Sequence, residues 1–189
     1  MGKIVVTEFI SLDGVIEAPG GGEDYKHQGW TFEIDRGAEG DKFKLDELLE
    51  AEAQLLGRRT YEGFAAAWPA MKDEAGFAEK MNTMPKYVVS STLGEAEWEN
   101  TTVLSGDFVA DIERVKDEVD GVILVAGSAQ LVQGLLGHGL VDELRLMVFP
   151  VVLGSGKRLF GAAEEKVPLK LAGSKAVGAG IAILTYERA

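Results

Sequence analysis

Residues 121–136 read GVILVAGSAQLVQGLL: a β-branched apolar run meets a turn of small residues and passes into apolar residues at helical spacing. A run apolar on both faces predicts a strand buried between helices, the situation found in parallel sheets. The succession recurs along the chain. AQLLG precedes RTYEGFAAAW, which Pro69 stops; the helical stretch DEAGFAEKMNT and Pro85 precede KYVVSST; TTVLSG precedes DFVADIERVKDEV, opened by Asp107 as an N-cap. KIVVTEFISLDG, ending in Asp-Gly, predicts the central strand, and GDKFKLDELLEAE predicts an amphipathic helix through Phe43, Leu45, Leu48 and Leu49. The last third differs. VDELRLMVFPVVLGSG and LKLAGSKAVGAGIAILTYER predict strands with no long helix between them, the second folded at GAG into a hairpin. The expectation is one α/β domain over residues 1–189, with a mixed sheet that is mostly parallel, C-terminal antiparallel strands and helices on both faces. Between the first strand and first helix, residues 12–30 carry Pro19 and three successive glycines and predict a flap.

Charge narrows the partners. The chain has 19 Lys and Arg against 31 Asp and Glu, a formal net charge of −12, which repels nucleic acid and anionic membrane surfaces. A small anion can still be held by local arginines, because neighbouring donors act within a Debye length of about 8–10 Å. There is no cysteine, so disulfides and thiol chemistry are excluded, and redox chemistry would need a borrowed cofactor. His27 and His138 lie far apart in no ligand spacing, so no metal site is expected. The N-terminal apolar stretch is short and lacks a small-residue cleavage site, which leads to the expectation of a cytoplasmic protein.

Three segments end a strand with small, hydroxyl or cationic residues: LLGRRTYEGF, YVVSSTL and LVAGSAQLVQGLL. In an open α/β sheet, ligands bind in the crevice at that edge. Gly57 followed by a helix at Thr60 points free N–H groups and a positive dipole end at one spot, which suits phosphate; the alternative is Thr60 as an N-cap beside solvated arginines. Together the segments outline a dinucleotide laid across the strand ends. Two tempting motifs fail. LGSGKRLFG lacks the upstream glycine of a Walker A loop and has Arg158 where Ser or Thr should stand, and VAGSAQ does not make Gly-x-Gly-x-x-Gly.

These segments, with SLDGVIEAPG and above all GLVDELRLMVFPVVLGSGKRLF, resemble the dihydrofolate reductase-like superfamily. More narrowly, the chain is similar to the stand-alone relatives of the C-terminal reductase domain of the bifunctional riboflavin-biosynthesis deaminase/reductase. The resemblance covers essentially the whole chain and implies NADPH as cofactor. It places Arg58 against the adenosine 2′-phosphate, and Arg59 and Thr60, after Gly57, against the pyrophosphate. It places Ser90 and Ser91 beside the adenine ribose, and Gly127, Ser128, Ala129, Gln130 and Leu131 under the pyrophosphate. Ala126 departs from the usual Gly-Gly pair. Asp13, Gly14, Val15 and Ile16 correspond to the loop over the nicotinamide.

Reduction of a C=N or C=O group by hydride needs a proton nearby, and Asp13 and Asp35 are the sequence candidates; Asp13 is equally a turn residue of Asp-Gly. Trp30, Phe32 and Trp68 are candidates to face a flat heterocycle, or core residues. The leading expectation is an NADPH-dependent reductase of a small heterocycle of pterin, pyrimidine or flavin type. The alternative is a non-catalytic nucleotide-binding or dimer-forming module of the same fold. The apolar C-terminal strands lead to the expectation of a homodimer.

Overall fold

The structure is a computed structural model that describes residues 1–162 and 165–189. Its elements run β1 (Lys3–Ser11), α1 (Gly37–Glu50), β2 (Ala51–Gly57), α2 (Arg58–Ala67), α3 (Phe77–Thr83), β3 (Lys86–Val89), β4 (Thr101–Leu104), α4 (Phe108–Glu118), β5 (Val122–Ala126), α5 (Ala129–Gly137), β6 (Glu143–Phe149), β7 (Leu169–Val177) and β8 (Ile181–Arg188). The strands form one sheet in the order β4-β3-β2-β5-β1-β6-β8-β7. β1 through β6 are mutually parallel, and β8 runs antiparallel to both of its neighbours, β6 and β7.

β1 is central, and its alternation sorts the two cores. Ile4, Val6 and Ile10 pack with Ile112 and Val115 of α4 and Leu131, Val132 and Leu135 of α5. Val5 packs on the opposite face with Leu48 of α1, Tyr61 of α2 and Met81 of α3. A third cluster, with Trp30, Met147, Phe149, Ile181 and Ile183, closes the β6–β8 end. Burying a side chain of this size contributes roughly 1.5–3 kcal/mol. The helix start at Asp107 is as the sequence predicts, with its carboxylate accepting the Ala110 N–H at 3.0 Å.

Polar side chains fix α1 on the sheet. The Thr7 hydroxyl donates to Glu47 Oε1 at 2.9 Å, and the Lys44 ammonium reaches both Thr7 and Glu47. Arg145 of β6 bonds Glu143 at 2.5 Å and Glu50 at 3.2 Å on this same face.

The segment VDELRLMVFPVVLGSG differs from its expected form. Its strand stops at Phe149, before Pro150, which has no N–H for a ladder, and it lies inside the sheet, parallel to β1, because α5 carries the chain across as a crossover. The hairpin at Gly178-Ala179-Gly180 is present, joining β7 to β8.

Candidate functional site

The chain leaves β2 towards β3 and leaves β5 towards β6. α2 and α5 depart in opposite directions and cover opposite faces, so the crevice at the carboxyl ends of adjacent strands β2 and β5 is the switch point of the sheet. The turns Gly57–Thr60 and Gly127–Ser128 meet there. Ser128 takes the left-handed conformation, φ 62°, and its hydroxyl does not cap its own helix. Instead Ser128 Oγ accepts the Gly57 N–H at 3.0 Å and lies 2.8 Å from Thr60 Oγ1.

Both glycines are required by this approach. A Cβ on Gly57 would lie 2.9 Å from Ser128 Cβ, and one on Gly127, at φ +66°, would lie 2.7 Å from Thr60 Oγ1. Neither helix has a side-chain cap, so the first-turn N–H groups of Arg58, Arg59 and Thr60 and of Ala129, Gln130 and Leu131 share one small region. Donors so arranged, with two helix dipoles behind them, suit a diphosphate. Arg58 pairs with Glu62 at 3.2 Å, an exposed contact worth little and open to exchange. Arg59 is exposed, Gln130 is exposed, and Leu131 has its side chain in the core, so that it offers its N–H alone.

Ser90 and Ser91 follow β3. Ser90 is buried, and its hydroxyl accepts the N–H groups of Thr92 at 3.2 Å and Leu93 at 3.0 Å, while Ser91 is exposed. Both line a cavity of about 200 Å³ with Ser105, Gly106, Phe108 and Asp111. A larger cavity of about 720 Å³ opens beside α2, away from the strand ends; Glu62, Glu95, Glu97 and Glu99 around it make it unsuited to an anion.

The loop after β1 is held by its own side chains. The Asp13 carboxylate accepts from the Ser11 hydroxyl at 2.7 Å, the Leu153 N–H at 3.1 Å and the Gly154 N–H at 2.8 Å. Those donors, Ser11 first, hold its pKa down to about 2. Asp13 is therefore ionised at neutral pH and clamps two loops together. Val15 and Ile16 beyond it are buried: Val15 bridges Arg158, and Ile16 packs with Ile10, Leu131 and Leu159. Asp35 is exposed and accepts the Gly37 N–H at 2.8 Å at the start of α1, where its carbonyl also receives the Ala179 N–H of the hairpin turn. No hydrogen bond joins Asp13 to Asp35 among the described residues.

The aromatic candidates separate. Trp30 is buried and donates Nε1–H to the Glu17 carbonyl at 2.9 Å, anchoring the segment between β1 and α1; Phe32 is exposed; Trp68 leans on Phe77. One residue stands out that the motifs did not single out. Glu8, in the middle of β1, is buried, and burial pushes its pKa up to about 8. Its signal in the sequence is a lone carboxylate in a strand otherwise fit for the core.

The mixed sheet and its two helical layers define a dihydrofolate reductase-like α/β fold. The model of the RibD C-terminal domain family matches residues 2–183, and the chain belongs to that family. It is 32% identical over 187 residues to the uncharacterized protein YwjB of Bacillus subtilis (strain 168), covering 99% of this chain and 98% of that one. To the uncharacterized protein YyaP of the same organism it is 26% identical over 188 residues, covering 98% and 94%. Among solved structures it is similar to a protein of Shewanella sp. PV-4 described as belonging to riboflavin biosynthesis, with TM-score 0.79, 22% identity and 99% of each chain covered. It is also similar to a pyrimidine reductase-like protein of Corynebacterium diphtheriae, with TM-score 0.62, 13% identity and 99% and 92% covered. At these identities the two structures bear on the fold.

Proposed function

We propose that this protein is an NADPH-dependent reductase acting on a small heterocycle of pterin, pyrimidine or flavin type. The observation that carries the reading is the crossing of the Gly57–Thr60 and Gly127–Ser128 turns, where two helix starts without side-chain caps meet, one of them opening with two exposed arginines. Family membership supports the reaction class. When bound, NADPH supplies the hydride.

In this reading Arg59, Thr60 and the N–H groups of Ala129, Gln130 and Leu131 hold the diphosphate. Arg58 exchanges Glu62 for the 2′-phosphate, and Ser90 and Ser91 border the adenosine in the 200 Å³ cavity. Val15 and Ile16 form an apolar wall for the nicotinamide. Asp13 and Asp35 are positioning residues: Asp13 fixes the loop carrying Val15, and Asp35 fixes the start of α1. The net charge of −12 argues against polynucleotides and anionic membranes. Among the described residues no helix is long and apolar enough to cross a membrane. A cytoplasmic setting fits an NADPH enzyme. The edge strand β7, with Leu171 51% exposed, fits a homodimer in which a second copy covers it.

Calorimetric titration of NADPH and NADH tests the cofactor roles. Arg58→Ala should weaken NADPH about 10- to 150-fold, the worth of a charge-assisted hydrogen bond, and leave NADH unchanged. Arg59→Ala should weaken both. Equal affinity of the wild type for the two dinucleotides, or no effect of either substitution, contradicts the assignment.

A further inference from the structure

Glu8 has no task in the scheme above, and its placement is costly for an idle residue. Thr7, its neighbour in β1, faces α1 and bonds Glu47, so alternation turns Glu8 to the α5 face with Val6 and Ile10. It is 5% exposed there, and its Oε1 has no hydrogen-bond partner among the described residues. Thr7 pairs with Ala126 across the ladder, so Glu8 stands level with Gly127, whose backbone N–H acts on its carboxyl. Glu8 thus lies directly beneath the β5–α5 turn.

The charges around it do not satisfy an anion. Lys44 and Glu47 of α1 act on Glu8 in opposite senses from the far face, where they bond each other. Glu143 and Arg145 of β6 are paired on that far face as well. β5 (VILVA) and α5 (AQLVQGLLG) carry no ionisable residue. A carboxylate in such surroundings keeps its proton, in line with the raised pKa. As the neutral acid it has an oxygen that can accept the Gly127 N–H and an O–H to donate. As the anion it would stand in a low-dielectric layer beside whatever negative charge fills the turn.

We infer that Glu8 is a proton-carrying floor of the dinucleotide site: the anionic cofactor and the Glu8 proton are bound together, each favouring the other. The inference rests on the NADPH reading. Linkage makes the coupling reciprocal, so NADPH raises the proton affinity of Glu8 and loss of that proton expels NADPH. A glutamine at this position keeps the acceptor and donor of the neutral acid and cannot titrate.

The test is calorimetric titration of the full chain with NADPH between pH 7.5 and 9, in Hepes and in Tris, whose different ionisation heats report the protons exchanged. This range lies above the titration of the cofactor's own phosphate, near pH 6. At pH 8 the wild type should take up about half a proton per NADPH, and its affinity should fall about tenfold per pH unit above that. Glu8→Gln should take up none and hold its affinity at pH 9; circular dichroism confirms that the variant is folded, and the wild-type uptake is informative without it. NADPH binding with no uptake, or equal uptake by both proteins, overturns the role of Glu8 and leaves the cofactor assignment standing. Absence of NADPH binding at every pH overturns both.

Discussion

Ser128 Oγ accepts the Gly57 N–H at 3.0 Å, which ties the carboxyl ends of β2 and β5 together across 71 positions of sequence. The same oxygen meets Thr60, so one hydroxyl sets the spacing of two helix starts. The proposed diphosphate site depends on this spacing rather than on any single donor.

Gly57→Ala should therefore damage the site without touching a charge. Its φ of −79° suits alanine, so backbone strain is absent, and the new methyl would strike Ser128. Overpacking of this sort costs roughly 1–3 kcal/mol. Urea unfolding should show that loss together with weaker NADPH binding, and Gly63→Ala, where added atoms meet open space, should show neither. Equal behaviour of the two variants would argue that the β2–β5 spacing is unimportant.

The strand–helix succession was legible because buried parallel strands read as apolar runs ending in small residues, and both the LLG and LVAG ends show it. The direction of β6 was not legible: Glu143–Phe149 reads the same whether it pairs parallel or antiparallel, and the crossover through α5 decides. At the site, Gly57 to Thr60 and Gly127 to Leu131 were visible as two separate turns. Their contact was not, since a hydrogen bond between residues so far apart leaves no local pattern. Asp13 was ambiguous for a definite reason: its partners at Leu153 and Gly154 are backbone donors, which any sequence provides. Glu8 escaped because a single acid in an apolar strand matches no spacing rule.

Asp13 predicts a dependence on acid. Its carboxyl titrates near 3.8 in the unfolded chain and near 2 in the folded protein, so the folded state holds fewer protons between those values. The stabilisation is complete above the unfolded value and is lost as pH falls through about 2. Asp13→Asn should melt at a lower temperature than wild type at pH 6, and the gap should narrow between pH 4 and pH 2. A gap that does not change with pH would assign the clamp to shape rather than charge.

Glu8 predicts the opposite trend. Unfolded it ionises near 4.5 and folded near 8, so the folded state keeps a proton that the unfolded chain has released. Its contribution is fully present below 4.5 and is lost as pH rises to 8, a penalty on the order of 3 kcal/mol at pH 7. Glu8→Gln removes the titration and should raise stability at pH 7 by about 2–3 kcal/mol, with the gain disappearing near pH 4.5. Chemical denaturation at pH 4.5, 6 and 8 measures this; the same difference at all three values would mean that Glu8 is not held as the acid.

The measurement that bears most directly on the account is a crystal structure of the protein soaked with NADPH. The diphosphate should lie between the starts of α2 and α5, within hydrogen-bond distance of Thr60 and of the N–H groups of Ala129 and Gln130. The 2′-phosphate should lie at Arg58, and the nicotinamide should lie beside Val15 and Ile16 with open space at its reactive carbon. NADPH lodged in the glutamate-lined cavity beside α2, or no cofactor at saturating concentration, would contradict the account.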